Sequence, residues 1–278
     1  MPSPATANGP VGVFDSGIGG LSVLAALRRA LPQEQFVYIG DAGHAPYGER
    51  DTAHVLKRSQ RLADYLCTCH QVKALVLACN TATAAAVASL RARYPKLPIV
   101  GIEPALKPAE AQSASGVVAV MATRSTLASD KFQTLLSAQP RSVRFALQAC
   151  DGLAAAIEQA DLPAIESLSQ RYIAALRLNP VGGSHIDTVV LGCTHYALIS
   201  DTLGRLWGPQ VNLLDAGEPV ARRTRQVLAA AALLLPEGGR ISPEMQCLST
   251  GDPALLDQAL QDWRIGGSTL RASALFLP

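Results

Sequence analysis

Two nine-residue stretches, LVLACNTAT at 75–83 and VVLGCTHYA at 189–197, are similar to each other and decide the fold. Each consists of an apolar run, one small residue, a cysteine and a short polar group able to begin a helix. They begin 114 residues apart. The duplication predicts two similar α/β halves, each with a cysteine at the carboxyl end of a strand.

Short apolar runs recur along the whole chain and predict two parallel sheets. The runs are continuous rather than alternating, which is typical of strands buried on both faces. Helical patterns lie between them, as expected of an α/β protein. The predicted strands are 11–14, 36–40, 74–78, 98–102, 116–122, 143–149, 188–192 and 211–216. The predicted helices include 19–31, 81–93, 153–160 and a long buried helix at 222–235, ended by Pro236.

Two proline-containing segments, IEPALKPAE at 102–110 and LWGPQ at 206–210, mark the expected crossings between the halves. The first domain is then discontinuous and comprises 1–104 plus 209–278, with residues 1–10 as a loose tail. The second domain comprises 105–208. We expect a pseudo-twofold relation between these α/β domains and an active site in the cleft between them.

The composition argues against several classes of protein. Hydrophobic residues make up 49% and charged residues 17%, so intrinsic disorder is not indicated. The net charge is +2 and there is no basic run, so no nucleic-acid partner is expected. The longest apolar stretch, Val227 to Leu235, is about half of a membrane span, so no transmembrane segment is expected. The first ten residues have neither the charged nor the apolar region of a secretion signal, so none is expected there. We expect a cytoplasmic protein without a membrane partner.

The six cysteines are too sparse for a disulfide scaffold. Cys67, Cys69 and His70 cluster, but no second pair at zinc-finger spacing would complete four ligands, so no metal is expected. These residues end an apolar helical stripe, and we interpret the two thiols as buried and structural.

Cys79 and Cys193 differ from the other cysteines because each follows a strand and precedes residues that can cap a helix. Backbone N–H groups at a helix N-terminus favour the thiolate form of cysteine. Two such thiols facing each other from two domains could invert a carbon centre, one removing a proton while the other delivers one to the opposite face. On neighbouring strands of one domain, the same pair would suggest redox chemistry.

The segment DSGIGG at 15–20 connects the first strand to the first helix. A glycine-rich turn of this kind lets backbone N–H groups approach an anion at the helix N-terminus, although a plain tight turn remains an alternative. It is not the dinucleotide-binding motif, because position 22 is serine.

The chain resembles the glutamate racemases of the aspartate/glutamate racemase superfamily. The resemblance rests on motifs that run in order from about residue 11 to 256. They are VFDSGIGGLSV, DAGHAPYGER, LACNTATA, VGIEPALKPA, LGCTHYALI and LSTGDPALL. It implies interconversion of L- and D-glutamate without cofactor or metal, supplying D-glutamate for peptidoglycan, and leaves a homodimer open.

The resemblance also implies roles for individual residues. Cys79 would take the α-proton of D-glutamate and Cys193 that of L-glutamate, with Asp15, His195 and Glu158 as auxiliary catalytic groups. Glu158 lies in a segment that departs from the family wording, because Asp151 and Gly152 replace a Pro-Leu pair. The residues matching substrate contacts are Asp15, Ser16, Tyr47, Gly48, Asn80, Thr81, Thr194 and His195.

Three alternatives stay open at this point. One is racemisation of a related amino acid such as aspartate. Another is a Cys-His hydrolase using Cys193 and His195, although side chains two residues apart at a helix start are expected to diverge. The third is an amino-acid-binding module without catalysis, which leaves the duplicated cysteine unexplained.

Overall fold

The computed structural model describes residues 6–178, 185–236, 238, 245–262, 265 and 270–277. The chain divides into two compact units, Met1–Ile102 with Gly217–Pro278, and Glu103–Ala216. The first crossing lies within two residues of the predicted one. The second lies at Gly217 rather than at 209, because residues 212–214 form a strand paired with 188–190 in the sheet of the second unit.

The first unit contains a parallel sheet of order β10-β9-β2-β1-β3-β4. Its three central strands are buried along their whole length, as their continuous apolar runs predict. The strands are β1 Val11–Asp15, β2 Phe36–Gly40, β3 Ala74–Leu77, β4 Ile99–Gly101, β9 Met245–Ser249 and β10 Ala272–Ala274.

The second unit contains a four-stranded parallel sheet of order β6-β5-β7-β8. Its central strands are fully buried, whereas β6 lies at an edge and is partly exposed. The strands are β5 Val117–Ala122, β6 Arg144–Ala149, β7 Thr188–Gly192 and β8 Asn212–Leu214. All eight strands predicted from the sequence are therefore confirmed.

Helices connect the strands in both units. In the first unit they are α1 Leu21–Ala30, α2 Thr52–Cys69, α3 Asn80–Arg93, α11 Gly217–Ala230 and α12 Pro253–Asp262. In the second they are α4 Leu106–Gln112, α5 Arg124–Ala128, α6 Asp130–Ser137, α7 Leu153–Glu158, α8 Leu162–Leu178, α9 Thr194–Leu198 and α10 Ser200–Trp207.

The two sheets share one strand order, since β2-β1-β3-β4 and β6-β5-β7-β8 are the same arrangement. The strand order reverses between β1 and β3, and between β5 and β7, because the chain passes to one side of the first strand and then returns to the other. In open α/β sheets, ligands bind at the carboxyl ends of the strands where the order reverses. The duplicated cysteines follow β3 and β7 and therefore occupy equivalent positions.

Two predictions about the chain ends and the late helix are wrong. Residues 7–10 are not loose, because Pro10 O accepts the Lys73 N–H at 2.9 Å and Ala7 O accepts Lys73 Nζ at 2.7 Å; residues 1–5 lie outside the described part. The late helix spans 217–230 rather than 222–235 and carries exposed arginines. It ends where Ala232 adopts a left-handed conformation.

Candidate active site

Asp15 and Ser16 lie at the carboxyl end of β1 and are both buried. The Asp15 carboxylate accepts the Ser16 N–H at 2.6 Å, which fixes the start of the loop leading to α1. Tyr38 on β2 donates its hydroxyl to Gly17 O at 2.6 Å and holds the next residue of that loop.

The glycine-rich segment is packed closely against the sheet. A Cβ at Gly20 would lie 2.7 Å from Asp15 Cβ and 2.9 Å from the Tyr38 hydroxyl. Any side chain there would displace Asp15, so Gly20 is required by the position of that carboxylate.

Cys79 is the N-cap residue of α3, in an extended conformation, and only 6% of it is exposed. Its sulfur accepts the Ala82 N–H at 3.4 Å, so it lies at the N-terminus of α3. Its thiol also lies 4.0 Å from the Ser16 hydroxyl oxygen, so the ends of β1 and β3 meet here.

Asn80 and Thr81 begin α3 and are buried beside Cys79. Asn80 Oδ1 is buried and has no hydrogen-bond partner among the described residues. A buried amide oxygen of this kind is costly unless a ligand or water satisfies it.

Tyr47 begins a short 3₁₀ turn, Tyr47–Glu49, and belongs to the same buried apolar cluster as Phe14 and Cys79. Its hydroxyl donates to Asp41 at 2.5 Å. Gly48 follows in the same turn and is partly exposed. The structure thus places the seven predicted residues of the first unit at or beside one edge of its sheet: Asp15, Ser16, Tyr47, Gly48, Cys79, Asn80 and Thr81.

In the second unit, Cys193 is the N-cap residue of α9 and is 7% exposed. Its sulfur lies 3.8 Å from His195 Nδ1. The expectation that these side chains diverge is therefore wrong. Cys193 precedes the helix with an extended backbone, so the side-chain spacing rule for two residues inside a helix does not apply.

His195 joins Cys193 to Glu158, because its Nε2 lies 2.7 Å from Glu158 Oε2. Burial alone would lower the pKa of His195, but the hydrogen bonds and charges of Cys193 and Glu158 outweigh it and raise the pKa well above its ordinary value. The imidazole is therefore a proton-holding group beside the sulfur.

Asp151 and Gly152, the residues that depart from the family motif, lie immediately before the helix that carries Glu158. Gly152 adopts a left-handed conformation, φ 77°, at the N-cap of α7, and Glu158 is the last residue of that helix. Asp151 O accepts the Tyr172 hydroxyl at 2.5 Å. Asp151 and Gly152 thus lie between the end of β6 and the start of α7, the helix that brings Glu158 to His195.

Sequence reasoning did not single out three buried or partly buried polar residues at these sheet edges. Asp41 follows β2, Arg58 lies on α2, and Thr123 follows β5 as Ser16 follows β1. The signal for Thr123 is its position in the repeated strand order, next to β7. No local signal pairs Arg58 with Asp41, since they are 17 residues apart.

The cluster of Cys67, Cys69 and His70 at the end of α2 agrees only in part with the prediction that both thiols are buried. Cys67 is buried, as predicted, whereas Cys69 is exposed. The rings of His70 and Tyr65 pack against each other in a T-shaped arrangement, with centroids 5.3 Å apart. Among the described residues, no three His, Cys, Asp or Glu side chains are grouped as metal ligands. None of the described helices has the length and apolarity to cross a membrane.

A parallel α/β fold with duplicated strand-end cysteines is what the resemblance to aspartate/glutamate racemases implies, and comparisons with known proteins agree on this class of racemases. A family model described as Asp/Glu/Hydantoin racemase matches residues 12–224, and the chain belongs to this family. A glutamate racemase from Pseudomonas putida is 44% identical over 268 residues, covering 96% of this chain and 98% of the relative. A glutamate racemase from Pseudomonas aeruginosa is 45% identical over 232 residues, covering 83% and 85%.

Solved structures show the same similarity. A glutamate racemase isoform from Bacillus anthracis has a TM-score of 0.84 and 28% identity, covering 98% of this chain and 99% of that one. Escherichia coli glutamate racemase, solved with L-glutamate and the activator UDP-MurNAc-ala, has a TM-score of 0.79 and 28% identity, covering 96% and 99%.

Proposed function

We propose that this chain interconverts L- and D-glutamate by a two-base mechanism in which Cys79 and Cys193 act on the same α-carbon. The observation that carries the proposal is that the two cysteines occupy equivalent positions. Cys79 follows β3 and is the N-cap residue of α3, and Cys193 follows β7 and is the N-cap residue of α9; β3 and β7 have the same place in the shared strand order. The 44% identity to glutamate racemases supports glutamate as the substrate.

The proton transfer proceeds as follows in one direction. The Cys79 thiolate takes the α-proton of D-glutamate, leaving a carbanion, and the Cys193 thiol gives its proton to the opposite face, yielding L-glutamate. The enzyme then holds a thiol at Cys79 and a thiolate at Cys193, ready for the reverse reaction. The proposal requires both sulfur atoms to reach opposite faces of one α-carbon.

Stabilisation of the carbanion is the main energetic demand. The α-hydrogen of an amino acid is far less acidic than a thiol, and each unit of pKa mismatch costs about 1.4 kcal/mol. Fixed donors at the α-carboxylate and exclusion of water reduce this cost. Ser16, Asn80, Thr81 and Thr194 are all at least 93% buried and are assigned to these contacts.

The two cysteines have different supporting groups. Cys79 is held by the Ala82 N–H, with Asp15 and Ser16 at the neighbouring strand end. Cys193 lies against His195, which Glu158 orients. We assign His195 and Glu158 to set the protonation of Cys193, and Asp15 to pair with the substrate ammonium or to set the protonation of Cys79.

The direct test follows optical rotation and hydrogen exchange in deuterium oxide. Incubation with L-glutamate should bring the rotation to zero, and one deuteron should appear at the α-carbon of the product, as detected by NMR. The same assay with L-aspartate should show no comparable rate. Racemisation of aspartate but not glutamate would contradict the substrate assignment.

A second function deserves a test because Cys193, His195 and Glu158 form the nucleophile, base and orienting group of a Cys-His hydrolase. That reading leaves Cys79 without a role. Incubation with an activated ester of glutamate, followed by intact-protein mass spectrometry, should show no acyl adduct on Cys193. An adduct that turns over would favour the hydrolase.

We further propose a cytoplasmic enzyme that supplies D-glutamate to peptidoglycan synthesis and needs no metal or organic cofactor. We also propose that the protein forms a homodimer. Sedimentation equilibrium tests this by measuring the molar mass in solution, which should be twice the 29.1 kDa of one chain.

A further inference from the structure

Asp41 is a buried carboxylate at the carboxyl end of β2 that the proposed proton transfer does not use. It is fully buried, and its backbone N–H donates to Asp15 O at 2.9 Å, so it lies beside the end of β1. Burial would raise the pKa of Asp41, but hydrogen bonds from Arg58, Tyr47 and Thr250 and the charge of Arg58 lower it below its ordinary value. Asp41 is therefore an ionised acceptor.

Arg58 binds Asp41 through a two-pronged contact. Its Nε donates to Oδ2 at 3.0 Å and its Nη2 donates to Oδ1 at 2.9 Å, and both side chains are buried. The third nitrogen, Nη1, donates to Leu277 O at 3.3 Å. Paired contacts of this kind fix orientation as well as charge, so Arg58 joins α2, the end of β2 and the C-terminal segment.

Tyr47 is held by the same carboxylate. Its hydroxyl donates to Asp41 Oδ2 at 2.5 Å, and only 1% of the residue is exposed. Burial raises the pKa of Tyr47 far above its ordinary value, and the charges of Asp41 and Cys79 and the hydrogen bond to Asp41 raise it further. The phenol therefore stays neutral, keeps its proton directed at Asp41 and is not a proton-transfer group.

We propose that Asp41 and Arg58 are positioning residues that act through Tyr47 and hold the Tyr47–Gly48 turn in its substrate-binding position beside Cys79. The inference rests on the proposed function, because it takes this turn to contact glutamate. Holding the turn in place before binding removes an ordering cost that substrate binding would otherwise bear. Loss of the network should therefore weaken substrate binding more than it slows proton transfer.

A double-mutant cycle tests this inference with Tyr47→Phe, Asp41→Asn and the combined variant. Tyr47→Phe leaves the Asp41–Arg58 pair intact and should raise the KM for both enantiomers about tenfold, the effect expected of one hydrogen bond to a charged group, with kcat changed less than about twofold. Asp41→Asn should raise KM at least as much. The combined variant should match Asp41→Asn, because the Tyr47 hydroxyl acts through its hydrogen bond to the Asp41 charge, which Asp41→Asn already removes.

A matched control lies in the same unit. Asp64 accepts Nε and Nη2 of Arg93, both at 2.8 Å, and the Tyr94 hydroxyl. It therefore repeats the arginine and tyrosine contacts of Asp41, though not the Thr250 contact, and its side chain is 37% exposed. Asp64→Asn should leave KM and kcat unchanged. The inference would be overturned if the fold-increases in KM of Tyr47→Phe and Asp41→Asn multiplied in the combined variant. It would also be overturned if Asp64→Asn raised KM as much as Asp41→Asn does.

Two further measurements keep the result independent of folding and of catalysis. If Asp41→Asn does not fold, Arg58→Lys takes its place, since it keeps the charge but loses the two-pronged contact. The cycle is also measured on the Kd for D-glutamate by calorimetry. If the wild-type protein does not racemise glutamate but the variants show the expected Kd pattern, only the proposed function is overturned. If racemisation is normal but the Kd pattern is absent, only the positioning role is overturned. If glutamate does not bind at all, both are overturned.

Discussion

His195 and Glu158, 37 residues apart in the chain, form a hydrogen bond of 2.7 Å between Nε2 and Oε2, while His195 Nδ1 lies 3.8 Å from the Cys193 sulfur. The imidazole is therefore held between a carboxylate and a thiol, with both ring nitrogens occupied. Cys79 contacts a backbone N–H instead. The two cysteines occupy equivalent positions in the fold but differ in the groups around them.

Glu158→Gln should lower the pKa of His195, because it removes a charge and a charge-assisted hydrogen bond that raise it. In the native protein, protonation of His195 contributes to the stability of the fold. This contribution is complete at pH values below the unfolded-state pKa of about 6.5, and it is lost as the pH rises through the raised folded-state pKa. NMR titration of the His195 ring measures the shift. Glu166→Gln, which alters an exposed pair with Arg205, should leave that titration unchanged.

Cys79→Ser and Cys193→Ser should each lower kcat/KM by about 10²–10⁴-fold, the usual contribution of one acid–base group. The loss must be equal in both directions because the two enantiomers have equal free energy in solution. Polarimetry with each enantiomer measures it, and circular dichroism checks the fold. Cys69→Ser, at an exposed thiol, is the control and should be fully active. Full racemisation by Cys193→Ser would exclude the two-thiol mechanism.

Alkylation at neutral pH should separate the buried cysteines. Burial raises the pKa of Cys67 to about 11 and that of Cys247 to about 12, and it also raises the pKa of Cys150. These three should resist iodoacetamide, while Cys79 and Cys193 should react and be protected by glutamate. Peptide mass spectrometry assigns the sites, and exposed Cys69 serves as the reactive standard. Labelling of Cys79 that glutamate does not slow would contradict its place at the substrate.

Lys73→Met should lower the free energy of unfolding by about 3–5 kcal/mol, because it leaves the Glu34 carboxylate buried without its cation. Both side chains are fully buried, and Glu34 also accepts the Leu235 N–H at 2.9 Å. Urea denaturation measures the change.

Two comparisons check the cause of that loss. Glu34→Gln combined with Lys73→Met should recover much of the stability, since no unpaired charge remains. Arg29→Met breaks an exposed pair with Glu218 and should change stability by less than about 1 kcal/mol. Equal effects of Lys73→Met and Arg29→Met would show that burial of the pair is not the cause.

The sequence predicts eight of the ten strands found in the described part of the chain, because their apolar runs are continuous and flanked by helical patterns. The apolar pattern does not predict β9 or β10. MQCLS at 245–249 contains two polar residues among five, and ASA at 272–274 is too short to have a pattern. Both pair at one end of the first sheet, where tertiary pairing rather than local preference makes them strands.

The amino-acid sequence by itself determined the duplicated strand–cysteine–helix unit, because strand burial and helix capping depend on residues a few positions apart. Only the tertiary structure decided which side chains meet: Arg58 with Asp41 and Tyr47, and His195 with Glu158. These partners are brought together by strand order and by the helices packed on each sheet. A hydrogen bond depends on distances of a few tenths of an ångström, and no local pattern sets them.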